Sequence, residues 1–338
     1  MTDSSVKAVA ADPDWLPHSY DMSGAGLVFV RVPRAERDAL TFLSDEHYKD
    51  RFAKVAHPAA QIRGALADAP AAPIHFIWHT SFCCSTLLAK ALEIPGATVG
   101  LREPDVLINL ANRFVRSEDQ GNRERLELVM RLLARPYRPG ETVIVKPTNL
   151  ANRLIMPALA ASPASRAILL YSDLPTLLRS LAKKGMQGRI WGRRLYSHLA
   201  QWTKLQPGFS GADIFLQTDL QIAGLAWLMQ IDHFRRVTKE FPDRVVPVDS
   251  ADFIADKQGT LSRAAALFGI DLDRGRIDAI ARGPVFSRHS KFAQMDYSIE
   301  ARDADHEEVV AAHGEEIAMV VKWVEAVAAH CGVPMAPA

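Results

Sequence analysis

Between residues 74 and 250, short continuous apolar runs alternate with longer stretches in which apolar residues recur every three or four positions. The runs at Ile74–Trp78, Ala97–Gly100, Thr142–Lys146, Ala167–Tyr171 and Arg244–Val248 read as strands buried on both faces. Between them, 105–115, 123–133, 150–159 and 174–184 have helical spacing. This alternation predicts an α/β fold, a three-layer sandwich with a central parallel sheet. Two longer helical segments, about 191–204 and 219–241, separate the last two strands and predict a helical cap over about 185–241. The tail reads as two further helices, a loop at 283–304 and a closing helix over 306–330. Ahead of the core, residues 1–24 are polar and read as an extended arm. A short strand follows at Leu27–Val32, then a helix over 35–52 and a Pro- and Ala-rich connector at 58–73. The expected organisation is an N-terminal arm with a short strand and helix (1–73) and one α/β domain (74–338).

Composition narrows the class. The chain has 338 residues, 48% hydrophobic and 23% charged, enough for a large packed core. Forty basic residues stand against 39 acidic ones, a net charge of +1, which argues against bulk electrostatic binding of nucleic acid. Three cysteines make no disulfide framework, and Met-Thr-Asp-Ser-Ser does not open a signal peptide. No uncharged apolar stretch approaches the roughly 20 residues of a membrane span. These features lead us to expect a cytoplasmic protein in a reducing compartment.

The chemistry concentrates in Ile74-His-Phe-Ile-Trp-His-Thr-Ser-Phe-Cys-Cys-Ser-Thr-Leu-Leu-Ala-Lys-Ala-Leu92. A buried strand runs into a tight polar loop, and Ser85-Thr86 open an apolar helix. Free backbone N–H groups and the positive end of a helix converge there on one point, with hydroxyls as further donors. That is a cradle for phosphate or sulfate. Laid over G-x-x-x-x-G-K-[ST], the loop has His79 and Cys84 in place of the glycines and Ser85 in place of the lysine; Thr86 alone fits. A reactive thiol at Cys83 or Cys84 is conceivable at a helix start. A phosphatase-type loop would need a closing arginine, however, and Lys90 stands six residues after Cys84. Both cysteines read better as small buried hydrophobes. No His, Cys, Asp and Glu spacing suggests a metal site, and none is expected.

The loop resembles the 5′-phosphosulfate loop of sulfotransferases, a strand followed by P-[KR]-S-G-[TS]-[TS]. Ser81-Phe-Cys-Cys-Ser-Thr86 occupies those positions, with Phe82 for the basic residue, Cys83 for the serine and Cys84 for the glycine. The resemblance runs from about residue 74 to 291. In the family's 3′-phosphate site, R-[ND]-P-x-[DE] is followed by a serine eight residues after the arginine. Here Ser180 falls on that serine and Ser172 replaces the arginine. Arg179, Lys183 and Lys184 are nearby cations, and Arg288, His289 and Lys291 belong to a basic tail loop of the kind that closes the cofactor site in that family.

The resemblance implies a P-loop nucleoside-triphosphate-hydrolase-like fold and transfer of a sulfuryl group from 3′-phosphoadenosine-5′-phosphosulfate (PAPS) to a hydroxyl or amine of a small-molecule acceptor. Ser81, Phe82, Cys83, Cys84, Ser85, Thr86, Ser172, Ser180, Arg288 and Lys291 would bind the cofactor. Glu103, after the second strand, would be the general base. Lys146, ending the third strand, would stabilise charge as the bond to sulfur breaks. Two rivals remain: a small-molecule kinase, which would need magnesium, and a non-catalytic relative that binds a nucleotide or a partner protein.

Overall fold

The computed structural model describes residues 3–48, 50–69, 72–286 and 299–337, without the side chains of 299–310. The N-terminal arm is not extended. Ser5 caps a first helix, α1 (Val6–Ala11), and β1 (Trp15–Tyr20) follows. β1 pairs antiparallel with β2 (Gly26–Arg31). Next come α2 (Arg34–Ala39), α3 (Asp45–Tyr48) and β3 (Lys54–Pro58), which pairs antiparallel with β2 to complete a three-stranded sheet. Pro17, His18 and Ser19 disguise β1 in the sequence. His18 is nonetheless buried, and the ladder shifts register between Pro17 and Ser19.

The single helix expected over 35–52 is two short ones. The Arg102 guanidinium donates to the carbonyls of Asp38, Leu40 and Thr41, so acceptors at the end of α2 are satisfied without a further helical turn. The expected connector at 58–73 contains α4 (Ala59–Ala65), in line with the high helix propensity of alanine.

The remaining elements are β4 (Ile74–His79), α5 (Ser85–Ala91), β5 (Thr98–Arg102), α6 (Asp105–Arg116), α7 (Gln120–Leu133), β6 (Thr142–Lys146) and α8 (Ile155–Ala161), the last entered through a 3-10 turn at Asn149–Leu154. They continue with β7 (Ala167–Tyr171), α9 (Leu174–Lys183), α10 (Gly185–Leu199), α11 (Gly211–Leu216), α12 (Asp219–Glu240) and β8 (Val245–Asp249). The chain closes with α13 (Ser250–Ala255), α14 (Lys257–Phe268), α15 (Arg274–Ala281) and α16 (Ile299–Cys331). Strands β4 to β8 form one parallel sheet in the order β5-β6-β4-β7-β8, flanked by helices. The α/β class expected from the sequence is the observed one, and the loop of interest follows the central strand.

The chain divides into two compact units. The first holds Met1–Trp78, Thr86–Ala167 and Leu261–Ile277; the second holds His79–Ser85, Ile168–Thr260 and Asp278–Ala338. In the first, Phe29, Phe76, Trp78, Phe114 and Val129 are at most 1% exposed. In the second, α9, α10, α12 and α16 pack on one another around Leu177, Leu181, Trp227 and Phe234. α10 approaches α12 closely because residue 192 is glycine: a Cβ there would lie 2.8 Å from that of Ala223. Arg189 forks onto Glu316 with two bonds of 3.1 and 3.2 Å, tying α10 to α16. Among the described residues, no helix is long and apolar enough to cross a membrane.

Candidate active site

The loop after β4 holds three non-glycine residues in left-handed conformation: Ser81 (φ 78°), Phe82 (φ 53°) and Cys84 (φ 60°). Each costs an L-residue roughly 1–2 kcal/mol, so the surroundings must impose it. They do so with named bonds. Thr80 N–H donates to the Leu170 carbonyl (3.1 Å), Ser81 N–H donates to His79 Nδ1 (3.1 Å), and the Cys83 thiol donates to the same Leu170 carbonyl (3.3 Å). From α12, Gln230 donates to the Thr80 carbonyl (3.4 Å). The Phe82 ring stands edge-on to Trp191 of α10, 5.2 Å between centroids, with the Lys184 ammonium 5.8 Å from its own centre. Cys84 keeps the left-handed geometry at the position where the resembling loops have glycine. Cys83 is buried, as expected, whereas Cys84 is partly exposed.

Hydroxyls on either side of the loop stand out in the hydrogen-bond accounting. Thr80 Oγ1 and Thr86 Oγ1 are buried and have no partner among the described residues. Ser172, just past β7, is fully buried; its carbonyl accepts from Trp227 Nε1 (2.8 Å), yet its hydroxyl is also unpartnered. Buried polar atoms are almost always paired, and leaving one unpaired costs about 1–3 kcal/mol. Sequence reasoning missed Thr80. Its only signal was a hydroxyl residue between the strand end and the turn.

On α9, the Ser180 hydroxyl donates to the Thr176 carbonyl (2.9 Å), so its proton is already engaged. Among the described residues, Arg179, one residue earlier, has a buried Nε without a partner and a single bond from Nη2 to Thr176 Oγ1 (3.2 Å). Asp173 caps this helix by accepting from Thr176 N–H (2.8 Å). Arg288, His289 and Lys291 lie outside the described residues.

In the first unit, Glu103 and Lys146 meet. Their strands are neighbours, with Arg102 in register opposite Lys146. Glu103 N–H donates to the Lys146 carbonyl (2.6 Å), and the Lys146 ammonium forms an ion pair with the Glu103 carboxylate. The Lys146 side chain is 2% exposed and that of Glu103 21%, so the carboxylate is the half that reaches water. The Phe42 ring lies 5.2 Å from the ammonium. Glu103 is also left-handed (φ 51°), and Pro104 follows it, a second strained turn at a strand end. Its neighbour Arg102 pairs with Glu93 and has a structural part. One group of three among the described residues, His18, Asp45 and Asp105, brings possible metal ligands within 4.8 Å of one another. Asp45 there is already bonded to Lys54 (2.7 Å) and His18 (3.1 Å).

No family model matches this sequence, and no curated protein matches it. In structure the chain is similar to sulfotransferases. The sulfotransferase domain from the curacin biosynthetic pathway is 13% identical, with a TM-score of 0.42 over 72% of this chain and 98% of that one. A sulfotransferase from Mycobacterium avium is 11% identical, with a TM-score of 0.42 over 92% of each chain. A mouse sulfotransferase solved in complex with PAP is 12% identical, with a TM-score of 0.36 over 77% of this chain and 90% of that one. The likeness is in the course of the chain; the chemistry has to come from this chain's own residues.

Proposed function

We propose that this protein transfers a sulfuryl group from PAPS to a hydroxyl or amine of a small-molecule acceptor. The observation that carries the reading is the loop after β4: three left-handed residues held in place beside buried hydroxyls, Thr80 and Thr86, that have no partner within the described chain. Such hydroxyls fit the oxygens of a 5′-phosphosulfate, and the loop lacks the lysine that a nucleoside triphosphate would need. For the 3′-phosphate, Ser172 contributes its unpartnered hydroxyl, and Arg179 takes the part of the missing arginine with its unpartnered Nε. Ser180 binds there by exchanging the Thr176 carbonyl for a phosphate oxygen.

PAPS supplies an electrophilic sulfur and a phosphate leaving group. Glu103 accepts the proton of the acceptor as its oxygen or nitrogen attacks. Lys146 orients that carboxylate beforehand through their ion pair. Lys146 would stabilise charge developing as the bond to sulfur breaks. The test is transfer of label from PAPS to candidate acceptors, with and without a chelator. Transfer that persists with chelator is expected; transfer that stops would favour the kinase-like rival.

A further inference from the structure

A cavity of about 400 Å³ runs beside β5, the edge strand of the five-stranded sheet, and lies wholly within the first unit. Six charged residues line it: Arg34, Arg37, Asp38, Glu93, Arg138 and Glu141. Most of these charges are accounted for. Arg34 pairs with Glu141 (2.7 Å), whose second oxygen accepts the N–H groups of Tyr137 and Arg138 (both 3.0 Å). Glu93 pairs with Arg102. Asp38 sits exposed at the rim.

Arg37 and Arg138 remain. Arg138 is exposed, and its guanidinium makes no ion pair or hydrogen bond among the described residues. Arg37 is only 2% exposed, its Nε has no partner, and it forms no ion pair among the described residues. Its guanidinium lies 4.9 Å from the Tyr137 ring centre, as does that of Arg34. Stacking on a ring leaves in-plane N–H donors unsatisfied. Other cations add to the cost. Burial above all, with Arg37 as a further contributor, brings the pKa of both Arg102 and Arg135 down to about 10. A buried, unpaired cation beside two others is costly unless an anion joins it.

We infer that this cavity binds a small phosphate or sulfate monoester, with Arg37 and Arg138 gripping the oxyanion. The volume is within the range of small-ligand sites and leaves room for an organic group beyond the anion. This site is separate from the loop after β4 and uses none of the residues assigned to sulfuryl transfer.

The test follows thermal unfolding of the full chain with inorganic phosphate and with phenyl phosphate, at constant ionic strength against chloride. Both anions are expected to raise the midpoint, phenyl phosphate at lower concentration. Arg138→Gln, at an exposed position, is expected to fold normally and to bind either anion roughly tenfold or more weakly, as for a lost bond to a charged group. Arg37→Met is expected to lose the response without lowering the anion-free midpoint. Thr86→Val, altered only at the loop after β4, is expected to keep the share of the response that the two arginine variants lose. The inference is overturned if neither anion stabilises beyond chloride, if both arginine variants respond like the wild type, or if the response disappears in Thr86→Val. Stabilisation by inorganic phosphate alone would overturn the monoester assignment.

Discussion

The loop after β4 and the ends of β5 and β6 handle their polar groups in opposite ways. The loop leaves hydroxyls at Thr80 and Thr86 buried and without a partner among the described residues. At the strand ends, Glu103 and Lys146 satisfy one another as an ion pair, and Lys146 is enclosed. Both regions hold non-glycine residues in the left-handed region, three in the loop and one at Glu103. The difference separates two demands. A region that binds an anion must keep donors in reserve. A base must be held in orientation before its substrate arrives, which an internal partner achieves.

The largest expected effects come from breaking the ion pair. Glu103→Gln should lower turnover by roughly 10² to 10⁴. It should also remove the acidic partner of the enclosed Lys146 ammonium and lower stability in chemical denaturation. Lys146→Met leaves the more exposed partner alone and should cost less stability. The double variant Glu103→Gln/Lys146→Met should regain most of the lost stability and none of the turnover. A single Glu103→Gln variant as stable and active as the wild type would remove both the base and the argument from burial.

The loop should behave in the opposite sense. Thr86→Val keeps the shape and removes a hydroxyl that nothing in the described chain satisfies. Nucleotide binding should weaken by about 1.5–3 kcal/mol by calorimetry, while the ligand-free protein should be no less stable. Ser172→Ala should follow the same pattern. Loss of stability with unchanged affinity would show these hydroxyls to be structural.

The smallest effect concerns strain. Cys84→Gly relieves the left-handed conformation, which costs an L-residue about 1–2 kcal/mol, but it also frees the unfolded chain. A net stabilisation of up to about 1 kcal/mol is expected in denaturant titration. Destabilisation would mean that the Cys84 side chain contributes more than its backbone costs.

Much of this was legible in the sequence. β4, β6 and β7 are continuous apolar runs, and the core positions of α6, α9 and α12 show in their spacing. β1 was not legible, because Pro17, His18 and Ser19 interrupt it and its burial depends on β2 and on the His18–Asp45 contact. Residues 81–86 could be placed on the loop, yet nothing in Cys84 signals a positive φ. Glu103 and Lys146 each drew attention separately. Their pairing is set by the β5-β6 neighbourhood across 43 residues, a tertiary fact that no local pattern carries.

The central claim is that the loop after β4, together with Ser172 and Arg179, holds a nucleotide bearing both 5′- and 3′-phosphates. Calorimetric titration of the intact chain with adenosine 3′,5′-bisphosphate, AMP and ADP tests it directly. The bisphosphate is expected to bind roughly tenfold or more tightly than AMP, the worth of a charged contact to the 3′-phosphate, and more tightly than ADP. Equal affinity for AMP and the bisphosphate would contradict it.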